Sequence, residues 1–160
     1  MSLFVDRVED LPGRETIASM SGLEFITAIA EGRLPAPPIA RTLDYGMESV
    51  EEGRVVFRGR PSFEVMNPIG TVHGGWFGTL LDSCMACAVQ TCLPKGQGYT
   101  TLEYKVNVIR PLFANSGEVR AIGQVSHVGR RTGIAEGRIE GVEDGKLYAT
   151  GSTTCMVFDL

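Results

Sequence analysis

The hydrophobic pattern divides the chain into one long helix and a series of strands. Residues 74 to about 93 are mostly apolar, and their apolar positions fall all around a helix, which predicts a helix buried on most sides. A shorter amphipathic helix is predicted over 21–34, with Ser21 as a candidate N-cap and Glu24 three residues later. The prolines within 35–38 predict a stiff extended connector behind it.

Alternating apolar and polar positions predict strands in the rest of the chain. Two strand-like runs, 42–50 and 53–61, are joined by a predicted turn at 51–53. Four more runs, separated by breaks that contain glycine, are predicted to form a meander: 99–112, 117–129, 130–143 and 146–160. The prediction is therefore an α+β fold in which a curved antiparallel sheet of about five to six strands wraps one long helix. Residues 1–40 are predicted as an N-terminal extension with an extra short helix, and residues 41–160 as the folded domain.

Composition narrows the class of protein. The chain has 160 residues, enough for one domain with a real core, and a net charge of −4 from 15 basic and 19 acidic residues. This balance argues against a protein that coats nucleic acid, which needs a basic surface. No apolar run approaches the roughly 20 residues of a membrane span, and the N-terminus lacks the apolar segment of a signal peptide. Three of the four cysteines lie within one helical segment, which favours a reduced cytoplasmic protein.

The first candidate for chemistry is the turn His73-Gly74-Gly75, where the long helix begins. The first N–H groups of a helix have no partner inside it, and the helix dipole adds partial positive charge there. Glycine allows a ligand to approach the backbone closely, so this turn could receive a carbonyl oxygen that becomes negative during a reaction. A tight turn that binds nothing is an equally good interpretation of these three residues alone.

The second candidate is Asp82, a lone carboxylate in the apolar helix. An unpaired buried carboxylate is costly, so this residue is a candidate for function. Taken alone, however, a carboxylate that caps a loop or pairs with an arginine is the favoured interpretation. Nine residues separate it from His73, which corresponds to about 13 Å along the helix and opposite helix faces. If both residues serve one site, a second copy of the chain must complete it, which predicts a two-fold dimer with composite sites. Asn67, six residues before His73, could donate to a carbonyl, although holding its own loop is the favoured interpretation.

Several other chemistries have little support in the sequence. With two histidines and no cysteine at ligand spacing near them, a zinc site is not expected. The Cys84–Cys87 pair lies in the apolar helix, where packing is favoured over redox or metal work. The chain has no GxSxG serine elbow, no P-loop and no dinucleotide-binding glycine pattern.

The segments NPIGTVHGGWFGTLLD (67–82) and TTLEYKVNVIRP (100–111) resemble those of the PaaI-like hotdog-fold acyl-CoA thioesterases, and the similarity covers roughly residues 40–158. The resemblance implies a hotdog domain over 41–160 that hydrolyses an acyl-CoA, with aryl-acyl-CoA as one option, to free acid and coenzyme A. It implies no cofactor, because coenzyme A is part of the substrate. It also implies a homodimer with composite sites, assembled further into a tetramer as a dimer of dimers.

The resemblance implies roles by position. The Gly74 N–H would polarise the thioester carbonyl, Asn67 and His73 would position the thioester, and Asp82 from the partner subunit would be general base or nucleophile. Thr101, with Thr100 as the alternative, would orient the water. The substrate and coenzyme A would also contact Gly75, Thr100, Val108, Ile109, Arg110, Pro111, Ser126, His127, Val128, Gly129, Arg130 and Arg131. Ordinary surface charge is the second, less favoured interpretation of the three arginines. One departure from the family is Ala86, where some relatives have Ser or Thr one turn after a carboxylate that is often Glu.

Two other functions remain open at this point. The chain could be a hotdog protein that binds acyl-CoA without cleaving it, although a pure binder has no need of a buried carboxylate at Asp82. It could also be a hotdog hydratase or dehydratase, whose base would be a histidine. The nine-residue spacing between His73 and Asp82 favours the thioesterase.

Overall fold

The computed structural model describes residues 4–160, so residues 1–3 of the predicted extension lie outside the described part. Three short helices come first: α1 (Arg14–Ala18), α2 (Gly22–Ala30) and α3 (Pro38–Thr42). Strands β1 (Tyr45–Glu51) and β2 (Arg54–Gly59) precede the long helix α4 (Gly74–Thr91). Four strands follow: β3 (Gln97–Val108), β4 (Val119–Val128), β5 (Thr132–Gly141) and β6 (Leu147–Asp159).

The six strands form one antiparallel sheet that curves around α4, which confirms the predicted α+β hotdog architecture. The strand order is β1-β2-β4-β5-β6-β3, so only β4, β5 and β6 form a meander. The prediction that all four late strands form one meander is wrong. β3, the strand after α4, lies at the far edge of the sheet and pairs with β6. The neighbour of β2 is therefore β4.

The core lies between α4 and the concave face of the sheet. Phe77, Leu80, Leu81 and Met85 on α4 are all almost completely buried, as predicted for a helix covered on most sides. The Trp76 indole N–H donates to the carbonyl of Leu43 at 3.0 Å, which ties α4 to the segment before β1. The helix is therefore a fixed frame, and any polar side chain on it has a defined position.

The N-terminal helices lie on the side of α4 that the sheet leaves open. The capping box predicted at the start of α2 is confirmed: Glu24 N–H donates to Ser21 Oγ at 3.3 Å and Ser21 N–H to the Glu24 carboxylate at 2.8 Å. The connector predicted over 35–38 is shorter, because Pro38 opens α3, a helix position that suits proline. Since α3 runs to Thr42, the first strand begins at Tyr45 and not at residue 42.

Candidate active site

The turn before α4 exposes an unused hydrogen-bond donor. His73 is the N-cap, and its Nδ1 accepts the Gly75 N–H at 2.9 Å, so the ring's proton is assigned to Nε2. The Gly74 N–H has no acceptor within residues 4–160. A Cβ on Gly74 would meet nothing within 4 Å, so a ligand atom can approach this N–H freely.

Asn67 holds the loop that leads into this turn. Its Oδ1 accepts the N–H groups of Ile69 and Thr71 at 3.1 and 3.2 Å, and its Nδ2 donates to Thr71 Oγ1 at 2.8 Å. The side chain thus takes the loop-holding role that the sequence favoured. One amide hydrogen of Nδ2 remains available to a ligand.

A cavity of about 370 Å³ connects the turn to the end of β3. Its walls include Asn67, Gly74 and the segment 108–111. The Val72 N–H donates to the Leu112 carbonyl at 2.8 Å, which fixes the two walls to each other. The Arg110 guanidinium donates to the carbonyl of Leu147 at 2.6 Å. The structure therefore brings together Asn67, Gly74, Val108, Ile109, Arg110 and Pro111, which the sequence assigned to two distant segments.

Asp82 lies two turns further along α4, half-buried, and faces β3. Its Oδ1 accepts the Thr101 hydroxyl at 2.9 Å, the one hydrogen bond found for this carboxylate in the described part of the chain. Burial raises the pKa of Asp82, and the Thr101 hydrogen bond opposes that rise. Thr100, the alternative partner, is exposed, and its side chain makes no such bond. A carboxylate with a raised pKa is a stronger base than an exposed one.

A β-bulge in β3 orients two side chains toward α4. The pairing with β6 shifts between Thr101 and Glu103, so Leu102 is the extra residue. Thr101 and Tyr104, three residues apart, consequently both face the helix, opposite the buried Cys155 and Thr153. Tyr104 packs over Gly78, where a Cβ would lie 3.2 Å from its ring. No pattern in the sequence predicted this bulge, and neither Gly78 nor Tyr104 was predicted near the site.

The second predicted binding segment, 126–131, lies at the other end of the sheet. β4 pairs with β5, β5 with β6 and β6 with β3, and these registers place the segment beside the end of β3 that contains Thr100 and Thr101. The segment 108–111 follows the opposite end of β3. Eight residues of strand separate Thr100 from Val108, about 26 Å. Arg130 and Arg131 line an open cleft of about 700 Å³ and form no ion pair within residues 4–160. One chain therefore does not gather all the predicted residues at one place.

A pair of hydroxyl groups next to Asp82 was not predicted from the sequence. The Tyr45 and Ser83 hydroxyl groups lie 3.0 Å apart, and burial raises the pKa of Tyr45. Ser83 could have been noticed because it follows Asp82 in the sequence, but nothing in the pattern connects Tyr45 with α4. The pair joins β1 to the helix beside the candidate carboxylate.

The four cysteines are all free thiols. Burial raises the pKa of Cys84 and raises that of Cys87 to about 12, so neither thiol is a reactive nucleophile at neutral pH. Within residues 4–160, no group of His, Cys, Asp or Glu side chains is arranged to hold a metal ion. No helix in the same range is long and apolar enough to cross a membrane.

Comparison with known proteins gives one consistent family. A family model described as "Thioesterase superfamily" matches residues 69–148, half of the chain. A Pseudomonas aeruginosa protein named "Putative esterase PA1618" is 34% identical over 94 residues, 58% of this chain and 63% of that protein. The match thus spans less than two thirds of that relative's length.

Solved structures agree with the family match. A Ralstonia eutropha phenylacetic acid degradation-related protein is 30% identical, with a TM-score of 0.74 over 82% of this chain and 98% of that one. The Escherichia coli PaaI protein of the phenylacetic acid degradation operon has a TM-score of 0.74 at 22% identity over 89% of this chain and 96% of that one. The second likeness concerns the fold alone.

Proposed function

Because this chain belongs to the thioesterase superfamily, we propose that it hydrolyses acyl-CoA thioesters to a free acid and coenzyme A. The observation that carries the proposal is Asp82, a half-buried carboxylate on the central helix whose one hydrogen bond comes from Thr101. A structural carboxylate would have an arginine partner or several donors. Asp82 has neither in the part of the chain that the structure describes, which leaves it available to a substrate or a water.

The proposed reaction uses Asp82 as the base. The carboxylate takes a proton from water, the water oxygen bonds to the thioester carbon, and the carbon–sulfur bond then breaks. The sulfur of coenzyme A leaves and takes up a proton, which Asp82 can return. The raised pKa of Asp82 supports this role, and Thr101 holds the carboxylate in place. Direct attack by Asp82 on the carbonyl carbon, with hydrolysis of the resulting anhydride, is the second route that the same geometry accommodates.

The Gly74 N–H is the proposed donor to the developing oxyanion. It is exposed, free of any acceptor within the described residues, and at the positive end of α4. The remaining amide hydrogen of Asn67, which lines the same cavity, is a further donor. His73, next to Gly74 and with its proton assigned to Nε2, is another. Gly75 contributes indirectly, because its N–H orients the His73 ring.

Gly74 and Asp82 belong to one reaction only if two copies of the chain meet. Eight residues of helix separate them, about 12 Å along the axis. The edge strand β3 is 12 residues long, pairs on one side only, and exposes Leu102 at 57% and Val108 at 49%. Such an edge is a template for pairing with another strand. We therefore propose a homodimer in which β3 pairs with β3 of the partner.

The positions along β3 suggest where the two-fold axis lies. An antiparallel pair centred between Tyr104 and Lys105 sets Thr101 opposite the partner's Val108. On α4 the midpoint between Gly74 and Asp82 is Gly78, the residue on which Tyr104 packs. The proposed axis would therefore lie at one contact that both elements share. This symmetry carries the Asp82–Thr101 pair of one copy to the Gly74 cavity of the other.

The same symmetry supports a coenzyme A site. In the proposed dimer, Arg130 and Arg131 of the second copy would lie toward the cavity at 108–111, where their charges could pair with phosphates. The segment 126–129 carries these arginines at the end of β4. Assembly of two dimers into a tetramer, the absence of a cofactor and a reduced cytoplasmic location stay predictions.

Release of free thiol from acyl-CoAs tests the proposal. We expect turnover by the natural chain and a loss of at least a hundredfold in kcat for Asp82→Asn. The control is Asp44→Asn, the same change at an exposed carboxylate. Saturable binding of acyl-CoA without turnover would favour the non-catalytic binder. Absence of thiol release, together with addition or removal of water on an acyl-CoA that His73→Ala abolishes, would instead favour a histidine-based hydratase or dehydratase.

Hybrid dimers test the composite site. Asp82→Asn and Gly74→Pro chains, co-expressed with different affinity tags, give dimers with one intact site and one doubly altered site. We expect these hybrids to recover about half of the natural dimer's activity, whereas each homodimer is inactive. Inactive hybrids would mean that Asp82 and Gly74 act within one chain, and the dimer proposal would fail.

A further inference from the structure

The N-terminal helices enclose a chamber on the outer side of α4. Its volume is about 490 Å³, within the range of roughly 300–1,000 Å³ that small-molecule sites occupy. One wall comes from α1 and α2, with Ile17, Phe25 and Ile29. The opposite walls come from β1, β2, α4 and the start of β3. Among the described residues, 4–160, no Asp, Glu, Lys, Arg or His side chain lines the space.

The cover is fixed to the rest of the fold at the start of α2. The Gly22 N–H donates to the Leu93 carbonyl at 2.9 Å, directly behind α4. A Cβ on Gly22 would lie 1.6 Å from the Gln90 carbonyl oxygen, so only glycine permits this contact. The Gly96 N–H also donates to the Ala18 carbonyl at 3.1 Å, which attaches the end of α1. The chamber therefore has a fixed cover, because α2 is attached to the rest of the fold at its first residue.

The chamber begins beside the candidate carboxylate. Ser83, the residue after Asp82, lines it, and so does Tyr99, two positions before Thr101 on the same face of β3. Burial raises the pKa of Tyr99 far above its usual range, which marks this end of the chamber as apolar. We therefore expect a group attached to a carbonyl held at Asp82 to enter the chamber at this end.

Resting on the thioesterase function proposed above, we propose that this chamber binds the acyl group and that the N-terminal extension selects for large apolar acyl groups. Aliphatic and aromatic walls without a charged side chain favour a hydrocarbon chain or an aryl group and disfavour acyl groups that carry a second carboxylate. The extension is then a specificity element of the enzyme. Each methylene buried from water corresponds to roughly a fourfold gain in binding.

A chain-length series from acetyl-CoA to palmitoyl-CoA, with phenylacetyl-CoA beside it, tests the assignment. In the natural chain kcat/KM should rise by up to about fourfold per methylene and then level off when the chamber is full. Ile29→Phe narrows the chamber and should lower kcat/KM for the longest accepted chains tenfold or more, with acetyl-CoA changed less than twofold. Phe25→Ala enlarges it and should move the preference to longer chains. Leu23→Phe, a half-buried position of the same helix outside the chamber, is the matched control.

A binding measurement separates this inference from the enzymatic one. Calorimetric titration with dodecanoate, which needs no turnover, should show binding that Ile29→Phe weakens about tenfold and Leu23→Phe leaves unchanged. If thiol release occurs but the chamber variants affect all acyl groups equally, the acyl assignment is wrong while the thioesterase stands. If no acyl-CoA is hydrolysed but dodecanoate binding follows the predicted pattern, the chamber stands and the enzymatic proposal is wrong. Dodecanoate binding that ignores Ile29→Phe and Phe25→Ala overturns the inference in either case.

Discussion

Proline at position 74 can remove one N–H group and leave the fold intact. Gly74 is the first residue of α4, and its N–H makes no hydrogen bond within residues 4–160. Proline is tolerated at this helix position because its missing N–H has no partner there and its fixed φ suits the helix. The residue before a proline must be extended, and His73 already is, with φ −65° and ψ 139°. Gly74→Pro should therefore leave the unfolding temperature at or slightly above that of the natural chain.

The expected catalytic loss is large in comparison. Removing one donor to an oxyanion costs about 2.7–4 kcal/mol in the transition state, a fall of about 10²–10³ in kcat. Gly74→Ala is the matched control, because it keeps the N–H and its Cβ meets nothing within 4 Å. We expect Gly74→Ala to retain kcat within a few-fold of the natural chain.

Thiol release with one good acyl-CoA, at saturating concentration, measures kcat for the three proteins. Thermal unfolding and size-exclusion chromatography show that each is folded and equally assembled. If Gly74→Pro keeps kcat within threefold of Gly74→Ala, the Gly74 N–H does not stabilise the oxyanion, and the proposed arrangement of the site is wrong. Equal losses in both variants would indicate crowding by a Cβ and would also count against the N–H.

Three further predictions concern the carboxylate and the N-terminal cover. Thr101→Val removes the hydrogen bond that opposes the raised pKa of Asp82. The acid limb of the profile of kcat/KM against pH should therefore move to higher pH, and the maximum of kcat/KM should fall about tenfold. The control variants Thr101→Ser and Thr100→Val should have the profile of the natural chain. Burial raises the folded-state pKa of Asp82, so the protonated carboxyl favours the folded state; this contribution to stability is complete below the unfolded pKa and is lost as pH rises through the folded pKa. Asp82→Asn should therefore unfold at a higher temperature than the natural chain at pH 8, and this difference should vanish near pH 3. Gly22→Ala should lower the free energy of unfolding in urea by about 1–3 kcal/mol, because its Cβ overlaps the Gln90 carbonyl, whereas Gly13→Ala, with nothing within 4 Å, should not.

The sequence was sufficient for those parts of the fold that depend on local pattern. The long helix, the capping box at Ser21 and the turn before β2 all follow from residue type and spacing, and the structure has them where expected. The order of strands did not follow, because β3 could pair with β4 or with β6 without any change in its alternation. The pairing of β3 with β6 joins distant parts of the chain, and no local pattern contains that information.

The candidate site divides in the same way. Asp82 and the turn at His73 could be found from the sequence because a carboxylate and paired glycines are unusual in an apolar segment. The choice between Thr100 and Thr101 could not be made, because the bulge at Leu102 determines which hydroxyl faces the helix. The chamber could not be predicted either, since its walls come from seven helices and strands and the segments between them, spread from Leu11 to Leu160.

The two proposed halves of the site, Gly74 and Asp82, lie on a single rigid helix. A helix two turns long between Gly74 and Asp82 cannot bend to bring them together, so the distance that separates them in one chain is permanent. Catalysis would then require the partner at every turnover, and activity per chain should fall on dilution below the dimer's dissociation constant. The edge strand β3 would serve assembly and chemistry at once, because a register shift of one residue along it also moves Thr101 away from the cavity that it must face.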